Sequence, residues 1–241
     1  MNTVDLSLKM KRLTQWLDSQ HPPAGFVRKC FDGPPFGNCY ITIDPDRQAR
    51  FASGNMNRVY LCGAEPGMNS DSIRHIIEAM RGWLGGNGLT RVQWTGYPTL
   101  CRSVRSPVPF STDLEVHEVG ADEIAAMREP PDQTIWPDYV RTAGSEGFFH
   151  YMAFDGKRPV AIAALCIFED IGYLMAAATA ESHRRRGAQR ALIATRIERA
   201  EQLGCAIEVS ETLYMLEHSW RNLQRAGFQE VYEKEVYEWS A

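Results

Sequence analysis

The densest chemistry in this chain is a run of side chains that are positive or can become so, His183, Arg184, Arg185 and Arg186, followed at once by Gly187 and the small Ala188. Residues 172–179 read as an apolar strand and residues 187–203 as an amphipathic helix, so the run meets a helix N-terminus. There the first backbone N–H groups lack intrahelical partners, the macrodipole favours negative charge, and a glycine lets the main chain approach a ligand closely. Together with the guanidinium groups, these features suit a pyrophosphate. A solvated basic turn has the same composition, so the loop by itself leaves both readings open.

Downstream, Glu208 interrupts an apolar strand at 205–210 and Glu211 follows just beyond its end, with Glu169 and Asp170 on a hairpin rim. Carboxylates are mostly exposed, so a solvated, outward-facing Glu208 is the alternative to a functional one. His150 and His218 read as hydrogen-bonded structural residues.

These groups need a framework to hold them. Leu114 to Val119 reads as a strand, Ala121 to Arg128 as a short helix, and Pro130, Pro131 and Pro137 as breaks within a loop before Tyr139. Two apolar runs, 148–154 and 159–168, flank Asp155-Gly156, the signal of a hairpin. Glu169-Asp170 is a further turn. Gly204 stops the helix of 187–203, whose Ile193, Ile197, Ala200 and Leu203 share a stripe, before the strand from Cys205 to Ser210. A last helix at 219–226 and a last strand at 228–239 complete this half.

Earlier in the chain, residues 4–18 form an amphipathic pattern on Leu6, Met10, Leu13 and Leu17, ended by His21-Pro22-Pro23. Strand-like pieces follow at 39–43 and 58–62. Ser70-Asp71 can cap a helix carrying Ile73, Ile76, Ile77 and Met80, stopped by Gly85-Gly86-Asn87-Gly88, and Arg91 to Thr95 reads as a strand. The order helix, glycine, strand echoes 187–210, the mark of a degenerate internal repeat. The stretch Cys101 to Thr112 reads as the connection between two halves.

The 241 residues allow one large domain or two smaller ones, and 26 basic against 30 acidic residues give a net charge of −4. A mildly acidic chain without a second basic cluster is a poor nucleic-acid binder. The six cysteines show neither C-x-x-C pairs nor zinc-ligand spacing, so no metal site or disulfide framework is expected. No apolar run is long enough for a membrane span and the first residues lack a signal-peptide core, so a cytoplasmic protein is expected.

From Gly172 to Phe228, the succession of strand, basic glycine loop, helix, Gly, strand, short helix and Gly-Phe resembles the GNAT acyltransferases. Their phosphate loop reads Q/R-x-x-G-x-G/A. Arg184-Arg185-Arg186-Gly187-Ala188-Gln189 matches the Arg and the first Gly, and carries Gln189 where Gly or Ala is usual. The form R-x-x-G-A-Q followed by Ala191-Leu192 is similar to one branch of the family. A second match, Ser219-Trp220-Arg221-Asn222-Leu223-Gln224-Arg225-Ala226-Gly227-Phe228, is similar to the family's late helix pattern S-x-R-N-x-x-R-x-G-F. In the first half, Asn57 to Gly63 resembles the N-terminal half of tandem members of the family.

The resemblance implies an α/β fold with a mixed central sheet at 113–241, and a degenerate GNAT-like or accessory domain at 1–112. It implies a strand at 172–179 splayed from 205–210, with acetyl-CoA as cosubstrate wedged between them. Cofactor contacts would come from Ala177, Ala178, Thr179, Arg184, Arg185, Arg186, Gly187, Ala188, Gln189, Arg190, Asn222 and Arg225. The reaction implied is direct attack of a deprotonated amine on the thioester, with Glu208 or Glu211 as base. Many members supply the leaving-group proton from a Tyr where this chain has Leu223, so Tyr173, Tyr214 or a water held by Ser219 must replace it. A non-catalytic acyl-CoA sensor is the alternative. The turn at 63–70 carries Glu65 and Pro66 and no basic residue, so one acetyl-CoA per chain is expected, in the second half. The amine acceptor is not specified. Neither a metal nor a nucleic-acid or membrane partner is expected, and a homodimer is left open.

Overall fold

Leu6, Met10, Leu13 and Leu17 fall on one face of an 18-residue helix, α1 (Thr3–Gln20), and all four are buried, as their spacing predicts. The computed structural model describes residues 3–20, 27–31, 39–43, 69–86, 89–91, 96–234 and 237–239. It divides into a first unit, residues 1–94 with 235–241, and a second, residues 95–234. In the first unit, β1 (Val27–Phe31) pairs antiparallel with β2 (Cys39–Ile43). Helix α2 (Ser70–Gly86) begins one residue after Asn69, whose side chain accepts from the Ser72 amide at 2.9 Å. The cap is therefore Asn69, where Ser70-Asp71 was expected. Strand β3 (Leu89–Arg91) pairs antiparallel with the last strand of the chain, Tyr237–Trp239. The expected strand at 58–62, the resemblance at 57–63 and the turn at 63–68 lie outside the described residues.

The second unit is built on β4 (Tyr97–Arg102), β5 (Glu115–Val119), α3 (Ala121–Ala125), α4 (Trp136–Val140), β6 (Phe148–Asp155), β7 (Arg158–Phe168), β8 (Ile171–Thr179), α5 (Ala188–Gln202), β9 (Ile207–Glu211), α6 (Glu217–Arg225) and β10 (Gln229–Lys234). Its strands form one seven-stranded sheet in the order β10, β4, β9, β8, β7, β6, β5. Every neighbouring pair is antiparallel except β8 and β9, which are parallel. Alternation along β7 sends Ala161, Ala163 and Leu165 to a core shared with Leu192, Ile193 and Ile197 of α5 and Phe228. It sends Ile162 and Ala164 to an opposite core with Ile124 of α3, Tyr139 of α4 and Met152.

The single last strand expected at 228–239 is two strands, β10 in this sheet and Tyr237–Trp239 paired with β3 in the first unit. Two further elements depart from expectation, each at a proline. The sequence marks no strand at 97–100 and Cys101 and Arg102 read as part of the connection, yet β4 lies inside the sheet. Pro98 argues against an interior strand because it cannot donate to the ladder; here it pairs with Glu233 near the strand's start, and its carbonyl still accepts from Thr212. Pro137 reads as a break in the sequence, but in the first turn of α4 its missing N–H costs nothing.

Between β8 and β9 the sheet opens. Pairing runs from Ile171↔Ile207 to Leu174↔Ser210 and stops, while β8 continues to Thr179 against β7. The divergence begins at a bulge in which β8 carries one more residue than β7, and Ala176 takes φ +48°. The parallel start of this pair depends on Gly172, because a Cβ there would lie 2.5 Å from the Cβ of Ala200 on α5. Gly172→Ala is therefore expected to push the helix off the sheet and lower stability by roughly 1–3 kcal/mol, measured by chemical denaturation.

Candidate active site

The opening exposes backbone on one side of β8 only. Ala180 donates to the Val160 carbonyl at 2.8 Å, so by ladder alternation Ala178 bonds to β7 while Ala177 and Thr179 turn their N–H and C=O groups toward the side that β9 has left. The last carbonyl before the opening, on Leu174, accepts from the Ser210 hydroxyl at 3.1 Å, which closes the apex. The Thr179 hydroxyl is buried and has no hydrogen-bond partner among the described residues. An extended ligand carrying amides fits this edge, since it would pair with free main-chain groups and an orphaned hydroxyl.

Just beyond β8, a short 3₁₀ turn (Glu181–His183) and a basic loop lead into α5. Arg185 takes φ +67° and Gly187 takes φ +86° as the N-cap, with no side chain capping the helix, so the first amides of α5 are left to a ligand. The arginines divide their work. Arg186 is anchored to Asp113 and Asp155, with its Nη1 2.6 Å from Asp155, and these contacts hold both carboxyls below the usual carboxylate range and raise Arg186. His183 reaches Asp155 at 3.2 Å. Arg190 donates to the Pro109 carbonyl at 2.5 Å, and Arg184 lies 3.7 Å from Glu181. Arg185 is exposed and has no ion pair or hydrogen bond among the described residues. A Cβ on Gly187 would run into the main-chain carbonyl of Ser111. The glycine is thus required by packing against residues 111–112 and by its positive φ, a constraint additional to the expected approach of phosphate.

At the apex of the opening sits a polar cluster. Glu211, its side chain 3% exposed, accepts from the Thr99 hydroxyl at 2.9 Å and from the Tyr173 hydroxyl at 3.1 Å, and is paired with Lys234. Four strands of the sheet, β4, β8, β9 and β10, supply these groups. Thr99 and Lys234 were missed in the sequence, since neither belongs to a local motif and only the sheet order brings them together.

Glu208 is placed differently. It is wholly buried, 3.1 Å from Nη1 of Arg102 and 3.2 Å from Nη1 of Arg105. Burial pushes its carboxyl up, against the pull of the two guanidiniums. Arg102 also donates to the Ala226 carbonyl at 2.9 Å and to Glu201 at 2.9 Å, tying β4 to both helices of this face. The solvated Glu208 weighed from the sequence is therefore replaced by a buried ion pair.

Among the remaining expected residues, Ser219 lies in the first turn of α6 with its amide donating to Leu216, and Asn222 accepts from Arg225 at 3.5 Å. The Tyr214 hydroxyl donates to Glu230 at 2.5 Å. Leu223 is buried in the core beneath α5. His150 is buried between the Thr142 hydroxyl at 3.1 Å and the Tyr139 carbonyl at 2.9 Å, with its pKa lowered by burial, a structural role as expected. His218 is exposed, and Glu169, with φ +51°, and Asp170 form the β7–β8 turn. On the α3 side of the sheet a groove of about 470 Å³ is floored by Met127, Met152 and Phe154 and edged by Glu123, Glu129 and Lys157. A second, of about 180 Å³, reaches from Pro130 and Pro131 to Ala180 at the end of β8.

Residues 115–228 match the family described as Acetyltransferase (GNAT) family. No curated protein matches the chain. Among solved structures, a GCN5-related N-acetyltransferase from Kribbella flavida is similar over 98% of this chain and 95% of its own, at 16% identity and a TM-score of 0.57. A GNAT-family acetyltransferase from Colwellia psychrerythraea is similar over 96% of each chain, at 12% identity and a TM-score of 0.55. A GCN5-related N-acetyltransferase-like protein from Streptococcus suis is similar over 96% of this chain and 98% of its own, at 11% identity and a TM-score of 0.53. Identities this low show a shared fold.

Removing Glu208 would leave the Arg102 guanidinium buried with only the partly exposed Glu201 as counter-charge. Glu208→Ala is expected to cost about 3 kcal/mol in chemical denaturation, whereas His218→Ala on the surface is expected to stay within about 0.5 kcal/mol.

Proposed function

We propose that residues 115–228, which match the Acetyltransferase (GNAT) family, form an acyltransferase domain that transfers an acetyl or short acyl group from acyl-CoA to a primary amine by direct attack in a ternary complex. The observation that carries this reading is the one-sided edge of β8 beside an uncapped helix N-terminus. Pantetheine amides pair with the free groups of Ala177 and Thr179. The pyrophosphate takes the amides of Ala188 and Gln189, with the unpaired Arg185 guanidinium beside it. Arg186 contributes by holding the loop in place through Asp113 and Asp155.

Of the expected bases, Glu211 is the one we assign, because it lies where the strands part and already holds Tyr173. Glu208 serves the buried pair with Arg102. The amine nitrogen forms a bond to the thioester carbonyl carbon as the carbon–sulfur bond breaks. Glu211 takes the amine's proton, Tyr173 gives its phenolic proton to the departing thiolate, and the Tyr173–Glu211 hydrogen bond returns the proton to Tyr173. Leu223 sits in the core and the Tyr214 hydroxyl is held by Glu230, so of the side chains weighed as donor Tyr173 is the one we assign. The acceptor enters along the α3 side, where the second groove ends beside Ala180.

Glu211→Gln and Tyr173→Phe are each expected to lower kcat by about a hundredfold or more. Thiol release over a panel of amines measures that loss, and calorimetry should show acetyl-CoA affinity unchanged. Wild-type turnover in both variants would remove the pair from the mechanism. We further propose that the chemistry lies in residues 113–241 together with β4, and that residues 1–112 bind no cofactor. Titration is expected to give one acetyl-CoA per chain; two equivalent sites would refute that assignment.

A further inference from the structure

Arg196 lies at the middle of α5, 2% exposed, among the alanines, leucines and isoleucines of the helix's buried face. No carboxylate among the described residues pairs with it. Its Nε donates to the Leu192 carbonyl at 2.9 Å, and its Nη1 donates to the Ala164 carbonyl at 3.0 Å and to the Met175 carbonyl at 3.2 Å. Ala164 on β7 and Met175 on β8 are register partners immediately beside the bulge.

A buried cation without a counter-ion is costly unless its surroundings require it. Here they do. The extra residue in β8 throws the ladder out of step, and carbonyls that would otherwise meet N–H groups across the strands need another donor. One guanidinium nitrogen bridging the two carbonyls fixes the place where β8 departs from β7 register. Ala176, held at φ +48°, follows directly, and the free edge of Ala177 and Thr179 follows from that.

We propose that Arg196 is a positioning residue for the acyl-CoA site: its guanidinium locks the β8 bulge, and the bulge keeps the strand edge turned toward the cosubstrate. This rests on the reading that pantetheine pairs with that edge. Arg196 touches neither cosubstrate nor acceptor, and it acts through the main chain of Met175. Lysine keeps the charge but has no second nitrogen to bond the Leu192 carbonyl while its ammonium meets the two strand carbonyls, so its head is not tied to the helix in the same geometry.

The test compares Arg196→Lys, and Arg196→Met if it folds, with the wild type in two ways. Hydrogen exchange of the ligand-free proteins should show faster exchange in 175–180, by about tenfold, with 148–154 unchanged, which marks a local loosening. Kinetics should show the KM for acetyl-CoA raised about tenfold with kcat at saturation within about twofold. Unchanged exchange at 175–180 in a folded Lys variant would overturn the proposal, as would a uniform rise in exchange across the sheet. Failure of the wild type to bind acetyl-CoA would sink the cofactor reading instead, and the exchange comparison would still judge the role of Arg196 in the bulge.

Discussion

Two parallel strands stay hydrogen-bonded only while neither changes its twist, and the bulge at Ala176 breaks that condition for β8 and β9. Everything distinctive in the second unit is arranged around the break. Before it, Ile171 to Leu174 keep the sheet continuous from β10 to β5. After it, β8 is bound on one side alone, and its other side is a row of main-chain groups waiting for a partner. A strand edge is ordinarily a hazard, because it invites another chain. Here the edge is inside the sheet, beside β9, where an extended molecule carrying amides fits.

Buried and half-buried charge stabilises this geometry in three separate places. Arg102 and Glu208 bind β4 and β9 to the segment entering Gly227, below the apex. Arg196 braces the bulge. Arg186 pins the loop to the β6–β7 hairpin and the start of β5. In each case a guanidinium bridges elements far apart in sequence, which suits its planar, multi-donor head. The basic run that looked uniform in the sequence is therefore divided: one arginine anchors, one is left open to solvent, and a flanking one meets a carbonyl.

The hairpin, β8, α5 and their order were legible because periodicity and punctuation are local. Apolar runs around Asp155-Gly156, a stripe ending at Gly204 and a glycine opening a basic loop need no knowledge of the rest of the chain. What stayed hidden is set by sheet order. β4 carries a proline, Thr99 and Lys234 are ordinary strand residues, and Arg196 looks like one more polar position on a surface helix. Glu208 is the instructive case: a carboxylate in an apolar strand signals something, but whether it faces a substrate or a guanidinium depends on Arg102, 106 positions away. Leu223 stands where the resemblance expects an acid, and the structure shows the physical counterpart, an apolar side chain completing a core.

The position of β4 separates the heritable unit from the folding unit. The segment that matches the family runs from 115 to 228, yet β10 enters the sheet only through β4, and β4 lies outside that segment. A fragment cut at the family boundaries would strip β9 of its antiparallel neighbour and leave Glu208 facing the space vacated by Arg102. The bared strand, with Ile207 and Val209 already committed to the interior, would present a flat, half-apolar edge that pairs with copies of itself. The smallest piece of this chain that closes its own sheet therefore begins near residue 95 and runs through residue 234.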